Sequence, residues 1–528
     1  MNGPQHSSKQ DADMVAIVYQ PSRRTVLKSS FAGAALWSIG SSSQASAAGP
    51  KTIRIAMSAG LDRLDPVRTA NGPDLAVISE IYETLLQLDP KTGQLLPNLA
   101  VSYEVKEPTL WEFKLRRDVL FHDGSKLTAA DVKYSIELII DPANHSPHFT
   151  QLASVEKIDT PDDYTVQIRT KTPDPLLGRR MQPIGGTGRV FIVSKAYGTS
   201  HSPQEVNDQP MGTGPYRLTA WRKGQSVTLT RNTGYWGRMP DAEEGIFTFI
   251  PENGTRVNAL LRGEVDVIQR VPIPDVARIE KSPDAQVVSD PHGLVHTMLL
   301  NMLEPPFDDI NVRKAFAHAL DTKTIIGSLL GKYGRVLGVP MGPTVVQYDA
   351  SIAPYAYDPD QSRKLLAGRA PIELKTYTSD GRYVDDREIY QAVNAQLNAV
   401  GFKVAPQQME WGRLIAMMSN RTAGPFFIIG WDFGEDDASK MNSFLMSTSP
   451  ISITKDADYD RLALAGNAEM NPAARTNIWK QAQQVIHDHY LVGAVWEAAS
   501  IYGVSKKLEY TPQFGENLDL ASIKLRAK

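Results

Sequence analysis

Cysteine is wholly absent from the 528 residues, so no disulfide can staple the chain and no thiol stands at a signal cleavage site to carry a lipid. Basic residues are not in excess: 56 Lys and Arg face 59 Asp and Glu. No Lys/Arg cluster supplies the basic face that binding nucleic acid requires. A long apolar run is also missing, because Phe31 to Ile39, broken by Gly33, falls short of the ~20 residues that a bilayer span takes. There is no Gly-x-Ser-x-Gly elbow, no His-Glu-x-x-His motif and no Gly-x-x-x-x-Gly-Lys phosphate loop. A secreted hydrolase built on a carboxylate pair stays open as the alternative from another class, to be tested by turnover of a peptide or glycoside. Neither internal repeats nor low-complexity tracts occur.

What the chain does have is an export address. Ser22-Arg23-Arg24-Thr25-Val26-Leu27-Lys28 fits the S-R-R-x-F-L-K pattern of a twin-arginine signal, with Val26 in the phenylalanine position, and Ala45-Ser46-Ala47 follows at cleavage distance. Cleavage after Ala47 is expected, and Met14 is an alternative start. Residues 1–47 hold four basic and two acidic side chains, so cleavage takes the formal charge from −3 to −5. A soluble exported chain with no lipid anchor fits the periplasm. The roughly 480 residues left are enough for two or three domains around a large core.

Strands and helices alternate along that length, the pattern of an α/β fold. Ile53, Ile55 and Met57 alternate with polar residues and predict a first strand. Thr128 caps a helix running to Ile140, and Glu112–Leu115, Val155–Ile158 and Tyr164–Ile168 read as antiparallel strands. Asp386 opens a helix whose Ile389, Val393, Leu397 and Val400 share one face; Gly401 ends it and Phe402-Lys403-Val404 begins a strand. Asn471-Pro472 starts another helix.

Several short motifs stand in a specific order: Leu64-Asp65-Pro66, Trp111-Glu112-Phe113-Lys114-Leu115-Arg116, Phe121-His122-Asp123-Gly124, Gly212-Thr213-Gly214-Pro215-Tyr216, Tyr235-Trp236-Gly237, Gly263-Glu264-Val265-Asp266, Pro306-Phe307-Asp308-Asp309, and Gly430-Trp431. In this order the chain resembles the family 5 extracytoplasmic solute-binding proteins, which feed peptide, nickel and related ABC importers, over residues from about 52 to about 510. The resemblance implies a two-lobed periplasmic-binding-protein fold, class II-like, with the hinge crossed twice and an extra α/β subdomain in lobe I. It places lobe I at 48–290 with the subdomain at about 90–200, lobe II at 291–497, and a C-terminal return to lobe I at 498–528. The implied partners are a small solute, peptide-like above all, and a membrane-embedded ABC permease with its ATPase; a monomer without cofactor is expected. Most motif residues are expected to hold the fold: Gly212, Gly214 and Gly263 in turns with unusual backbone angles, Arg313 in a cap or salt bridge, His122 bonded within a turn.

The expected binding segment is Phe426-Phe427-Ile428-Ile429-Gly430-Trp431-Asp432-Phe433-Gly434-Glu435-Asp436-Asp437, an apolar run ending in four carboxylates within six residues. Ligands in open α/β folds sit outside the carboxyl ends of strands. In peptide-binding relatives the segment reads Gly-Trp-x-x-Asp-x-x-Asp-Pro, and its first Asp pairs with the peptide ammonium. Here Gly434 holds that position and Ala438 replaces the proline, so the amine anchor is lost or moved to Asp432, Glu435 or Asp436. A buried ammonium needs such a partner to offset desolvation. The resemblance implies a carboxylate-binding arginine near the loop before the helix at Asp386, so Arg382 and Tyr383 are expected near the ligand, where a guanidinium can grip a carboxylate with two parallel bonds. Trp411 resembles a position near the pocket; Leu61, Asp62, His148 and Phe149 are the candidates from lobe I. The ligand expected is a short peptide or amine-bearing solute, with an opine, oligosaccharide or sugar conjugate as the alternative that Gly434 favours. No metal site is expected: His487 and His489 project roughly 200° apart on a helix, and no cysteine is present.

Overall fold

The computed structural model describes residues 51–89, 94–183, 189–369, 371–379, 382–409, 411–432, 437–512 and 518–526, with the backbone alone at Asp432. The signal region lies outside these residues. Ile53, Ile55 and Met57 are fully or almost fully buried on the strand Thr52–Met57, inside a nine-stranded mixed sheet. The order is Phe426–Asp432, Ala285–Leu300, Val492–Ser505, Val267–Gln269, Thr52–Met57, Glu244–Phe249, Ser226–Arg231 and Tyr216–Arg222, with Gly334–Leu337 added on Val492–Ser505. Thr52–Met57 runs parallel to both neighbours, and the other pairs are antiparallel.

Two strands, Ala285–Leu300 and Val492–Ser505, run through both halves of this sheet and pair with each other. Residues 285–290 pair with 500–505, a bulge separates Asp290 from Leu294, and residues 294–299 then pair with 492–498. Gly293 fills the bulge because a Cβ there would lie 1.9 Å from the Ala498 carbonyl oxygen. The other partner of Val492–Ser505 changes at the same place, from Val267–Gln269 opposite residues 502–504 to Gly334–Leu337 opposite residues 495–498.

Separate cores flank the sheet. Ile53, Ile55, Val227, Leu229 and Phe247 pack against the helix Gly72–Ile81. Phe427 and Ile429 enter one core with Trp479, while Phe426 and Ile428 enter another with Phe316. Both faces of Phe426–Asp432 are therefore covered, which is why its apolar run is continuous rather than alternating. Ile372–Ser379 and Phe402–Met409 pair in parallel across the helix Asp386–Asn398, the βαβ step that the periodicity predicts. A four-stranded antiparallel sheet, Ala100–Glu107, Leu110–Leu115, Thr165–Thr170 and Val155–Asp162, packs with the helix Ala129–Ile140 around Trp111 and Phe113. At that helix's start the Asp131 carboxylate accepts from the Thr128 backbone N–H at 2.8 Å.

Some expected roles change. Gly263 has φ +70, as a turn glycine should, but Gly212 and Gly214 lack positive φ; their Cβ atoms would lie 2.0 and 2.6 Å from the Ile81 and Glu80 carbonyl oxygens, so close backbone approach selects them. Arg313 makes no salt bridge among the described residues but does cap: it donates to the carbonyls of Phe307 and Asp308 and to that of His489, the C-cap of the helix Pro472–Asp488, while Asp309 caps the start of the helix Ile310–His318. His122 is bonded as expected, its Nε2 3.0 Å from the Gly214 carbonyl oxygen, and burial pushes its pKa down to about 4.

Candidate functional site

The loop that carries Arg382 is folded back by Asp386, the first residue of the helix after it. The buried Asp386 carboxylate accepts from the Ser379 hydroxyl (3.1 Å) and from the backbone N–H groups of Arg382 (3.1 Å) and Tyr383 (3.3 Å). The Arg382 guanidinium then lies over two rings, 4.8 Å from that of Tyr383 and 5.2 Å from that of Trp411, which meet edge to face at 5.7 Å. The Tyr383 hydroxyl accepts from the Gly430 N–H at 2.8 Å. Residue 430 is glycine because a Cβ would sit 2.8 Å from the Tyr383 ring and 2.9 Å from that of His296. Trp431, next along, stacks on Phe444 at 5.0 Å, and its buried indole N–H has no hydrogen-bond partner among the described residues.

A second group of residues faces the same space. The buried Asp74 carboxylate accepts from the Thr69 hydroxyl (2.7 Å) and the Asp62 N–H (2.8 Å), fixing the turn before the helix Gly72–Ile81. His148 Nε2 donates to the Thr69 carbonyl at 2.9 Å, which leaves Nδ1 as an acceptor; it too is buried without a partner among the described residues. Burial, aided by the charge of Arg189, lowers the His148 pKa and keeps the ring neutral. Gln269 ends the strand Val267–Gln269, and Arg270 follows it.

His148, Gln269 and Arg270 line one cavity of about 480 Å³, with Met57–Ala59 and Ala70–Pro73 on one part of its wall and Arg382, Trp411, Gly430, Trp431 and Lys440 on another. Tyr383, His296 and Asp385 line a smaller space of about 120 Å³, which shares Gln269, Arg270, Leu294 and Arg382 with the first. Of the residues expected at the site, His148, Arg382, Trp411 and Trp431 meet in the larger cavity and Tyr383 in the smaller. Leu61 instead is buried in the core, Asp62 is exposed with its N–H bonded to Asp74, and Phe149 is 36% exposed outside both linings. The Asp432 side chain, Phe433, Gly434, Glu435 and Asp436 lie outside the described residues.

Asp437, the last of the four carboxylates, is scaffold. It is 2% exposed, pairs with Arg475, accepts from Gln347 Nε2 at 2.8 Å and caps the following turn through the Ser439 N–H at 2.9 Å. His292 and His296 stand four apart, but they lie in a strand across the bulge: His296 stacks on Trp496 at 5.2 Å, while His292 sits 3.8 Å from the buried Glu497. The His489 side chain is 36% exposed where it terminates the helix Pro472–Asp488, and it bonds Asp456 at 2.8 Å.

Residues 94–452 match the family model of bacterial extracellular solute-binding proteins, family 5 middle. The chain belongs to family 5 of the bacterial extracellular solute-binding proteins. It is a binding protein of an ABC importer, not an enzyme. This family 5 protein is 26% identical over 477 residues to di/tripeptide-binding protein 2 of Pseudomonas aeruginosa, covering 83% of this chain and 88% of the relative. It is 28% identical over 404 residues to the glutathione-binding protein GsiB of Pectobacterium atrosepticum, covering 75% and 77%. Its fold superposes on that of the PBP AgaA of A. tumefaciens R10, solved with agropinic acid, at a TM-score of 0.77 and 26% identity, covering 90% and 99%. No helix among its described residues is long and apolar enough to cross a membrane.

Sequence reasoning missed Arg189, Gln269, Arg270, Lys440 and the turn Ala70–Pro73. Gln269-Arg270 carried a usable signal, since it stands at the carboxyl end of a strand in an α/β sheet. Arg189 and Lys440 carried none, because only tertiary packing brings them to the cavity.

Proposed function

We propose that the chain leaves the cytoplasm by the twin-arginine route, loses its signal near Ala47, and works in the periplasm as a monomer that captures a short peptide or related amine-bearing solute and delivers it to its permease. Lobe I is residues 48–290 with 498–528 and lobe II is residues 291–497, hinged where the bulge at Asp290–Leu294 faces Ala498. The observation that carries this reading is the convergence of Arg382, clamped over Tyr383 and Trp411, with Trp431 and His148 on one cavity of a size suited to a small solute. Arg382 receives a carboxylate of the solute, and Asp432, Glu435 or Asp436 receives its ammonium. The relatives that bind di/tripeptides and glutathione support a peptide-like ligand.

An opine is the second reading, favoured by Gly434 at the amine-anchor position and by the agropinic acid complex of AgaA. Thermal-shift screening of purified mature protein with di- and tripeptides, glutathione and agropinic acid separates the two. Stabilisation by peptides supports the first reading; stabilisation by agropinic acid alone replaces it with the second. For the export step, changing Arg23 and Arg24 together to Lys is expected to leave precursor in the cytoplasm, and normal periplasmic yield would remove the twin-arginine route.

A further inference from the structure

Of the two strands that run through both halves of the sheet, one carries His292 and the other Glu497, both at the place of the proposed hinge. His292 stands in the bulge between Asp290 and Leu294. Glu497 is opposite Val295 on one neighbouring strand and opposite Arg335 on the other. It is 2% exposed, and its two oxygens have different company. Oε2 pairs with the Arg335 guanidinium. Oε1 lies 3.8 Å from His292 Nδ1, and residue 342 is glycine where a Cβ would come within 2.9 Å of that oxygen.

At 3.8 Å the contact with His292 falls short of a hydrogen bond. Nδ1 is shut off from water and has no hydrogen-bond partner among the described residues, yet the side chain as a whole is 30% exposed and can exchange protons with solvent. Protonation makes Nδ1 a charged donor, and a closure of about 1 Å brings it to the length of a charge-assisted bond with Oε1. Two other charged groups face the ring. The Asp290 carboxylate, which accepts from the His292 backbone N–H at 3.0 Å, favours the imidazolium as Glu497 does, and Arg335 opposes it. Glu497 dominates this balance and, against the effect of burial, raises the His292 pKa above its ordinary 6.5.

We infer that His292 and Glu497 form a proton-dependent latch across the hinge, which holds the lobes in their present arrangement while His292 is charged and lets them part when it is neutral. This rests on the two-lobe reading above and adds a control on solute release, which becomes easier as pH rises. The latch is fully present below about pH 6.5 and is lost as pH passes the higher pKa of the folded protein.

The test is single-molecule energy transfer on the mature, ligand-free protein, labelled through Lys157→Cys in lobe I and Lys403→Cys in lobe II. Both lysines are well exposed, and the chain has no cysteine of its own to compete for label. Between about pH 5.5 and about pH 8.5 the ratio of long- to short-distance molecules should rise about tenfold, the change that one unit of pKa difference between latched and released protein produces. With His292→Gln or Glu497→Gln added, each checked for cooperative melting, the ratio should change less than about twofold.

Two distances whose ratio ignores pH, or a pH response that survives in His292→Gln, overturns the latch and leaves the hinge standing. One unchanging distance at every pH overturns both.

Discussion

Arg475 and Arg382 are the same side chain in similar aromatic company, yet they stand in opposite settings. Arg475 lies 5.6 Å over the ring of Trp479, and Arg382 lies over Tyr383 and Trp411. Arg475 is 4% exposed, is paired with Asp437 and donates to the Gly466 carbonyl, so the chain itself completes its hydrogen bonding. Arg382 instead lines the cavity, with its loop fixed through backbone N–H groups by Asp386. An aromatic bed aims a guanidinium; a closed core turns Arg475 toward the fold, and a cavity wall is where we propose that Arg382 meets a solute.

The largest effect should come from breaking the closed member of the comparison. Asp437→Asn removes one partner of a buried pair and should cost about 3–5 kcal/mol in denaturant unfolding. A loss below about 1 kcal/mol would mean that Arg475 finds equal compensation elsewhere, and the contrast between the two arginines would weaken.

Next comes the open member. Arg382→Gln should lower affinity for a carboxylate-bearing solute by about 10- to 100-fold in calorimetry, with melting of the ligand-free protein little changed. Unaltered affinity with lowered stability would make Arg382 a second Arg475.

Glu83 sharpens the comparison with a smaller effect, because it is a buried carboxylate held by neutral donors instead of a guanidinium. Thr213, Tyr235 and Trp236 donate to it at 2.8–2.9 Å, yet burial outweighs them and pushes its pKa up to about 7. A carboxyl raised in the folded state contributes stability that is fully present below about pH 4.5 and is lost as pH rises through about 7. Wild type should therefore lose a few degrees more of melting temperature than Glu83→Gln between about pH 5 and 8. Parallel pH profiles would show that Glu83 stays ionised throughout.

The same contrast explains how much was legible in the sequence. The βαβ step at 372–409 and the capped helix Ala129–Ile140 follow from local periodicity and cap chemistry, and both are present. Gly430-Trp431 and Arg382 were legible as neighbours of the cavity because a strand end and a loop before a helix are where α/β folds place ligands. What could not be read was the division of labour among like residues. Asp437 stood among four carboxylates with nothing local to mark it as the one that pairs with Arg475, 38 residues away. Leu61 and Asp62 looked like cleft residues, but the Thr69–Asp74 turn takes that place, and only the hydrogen bonds to Asp74 reveal it.

The most direct test of the central claim, that Arg382 and its cavity hold a solute, is native mass spectrometry of wild type and Arg382→Gln purified side by side from the periplasm. The account predicts one unmodified, carboxylate-bearing small molecule on the wild type and little or none on the variant. A solute retained equally by both proteins would contradict it.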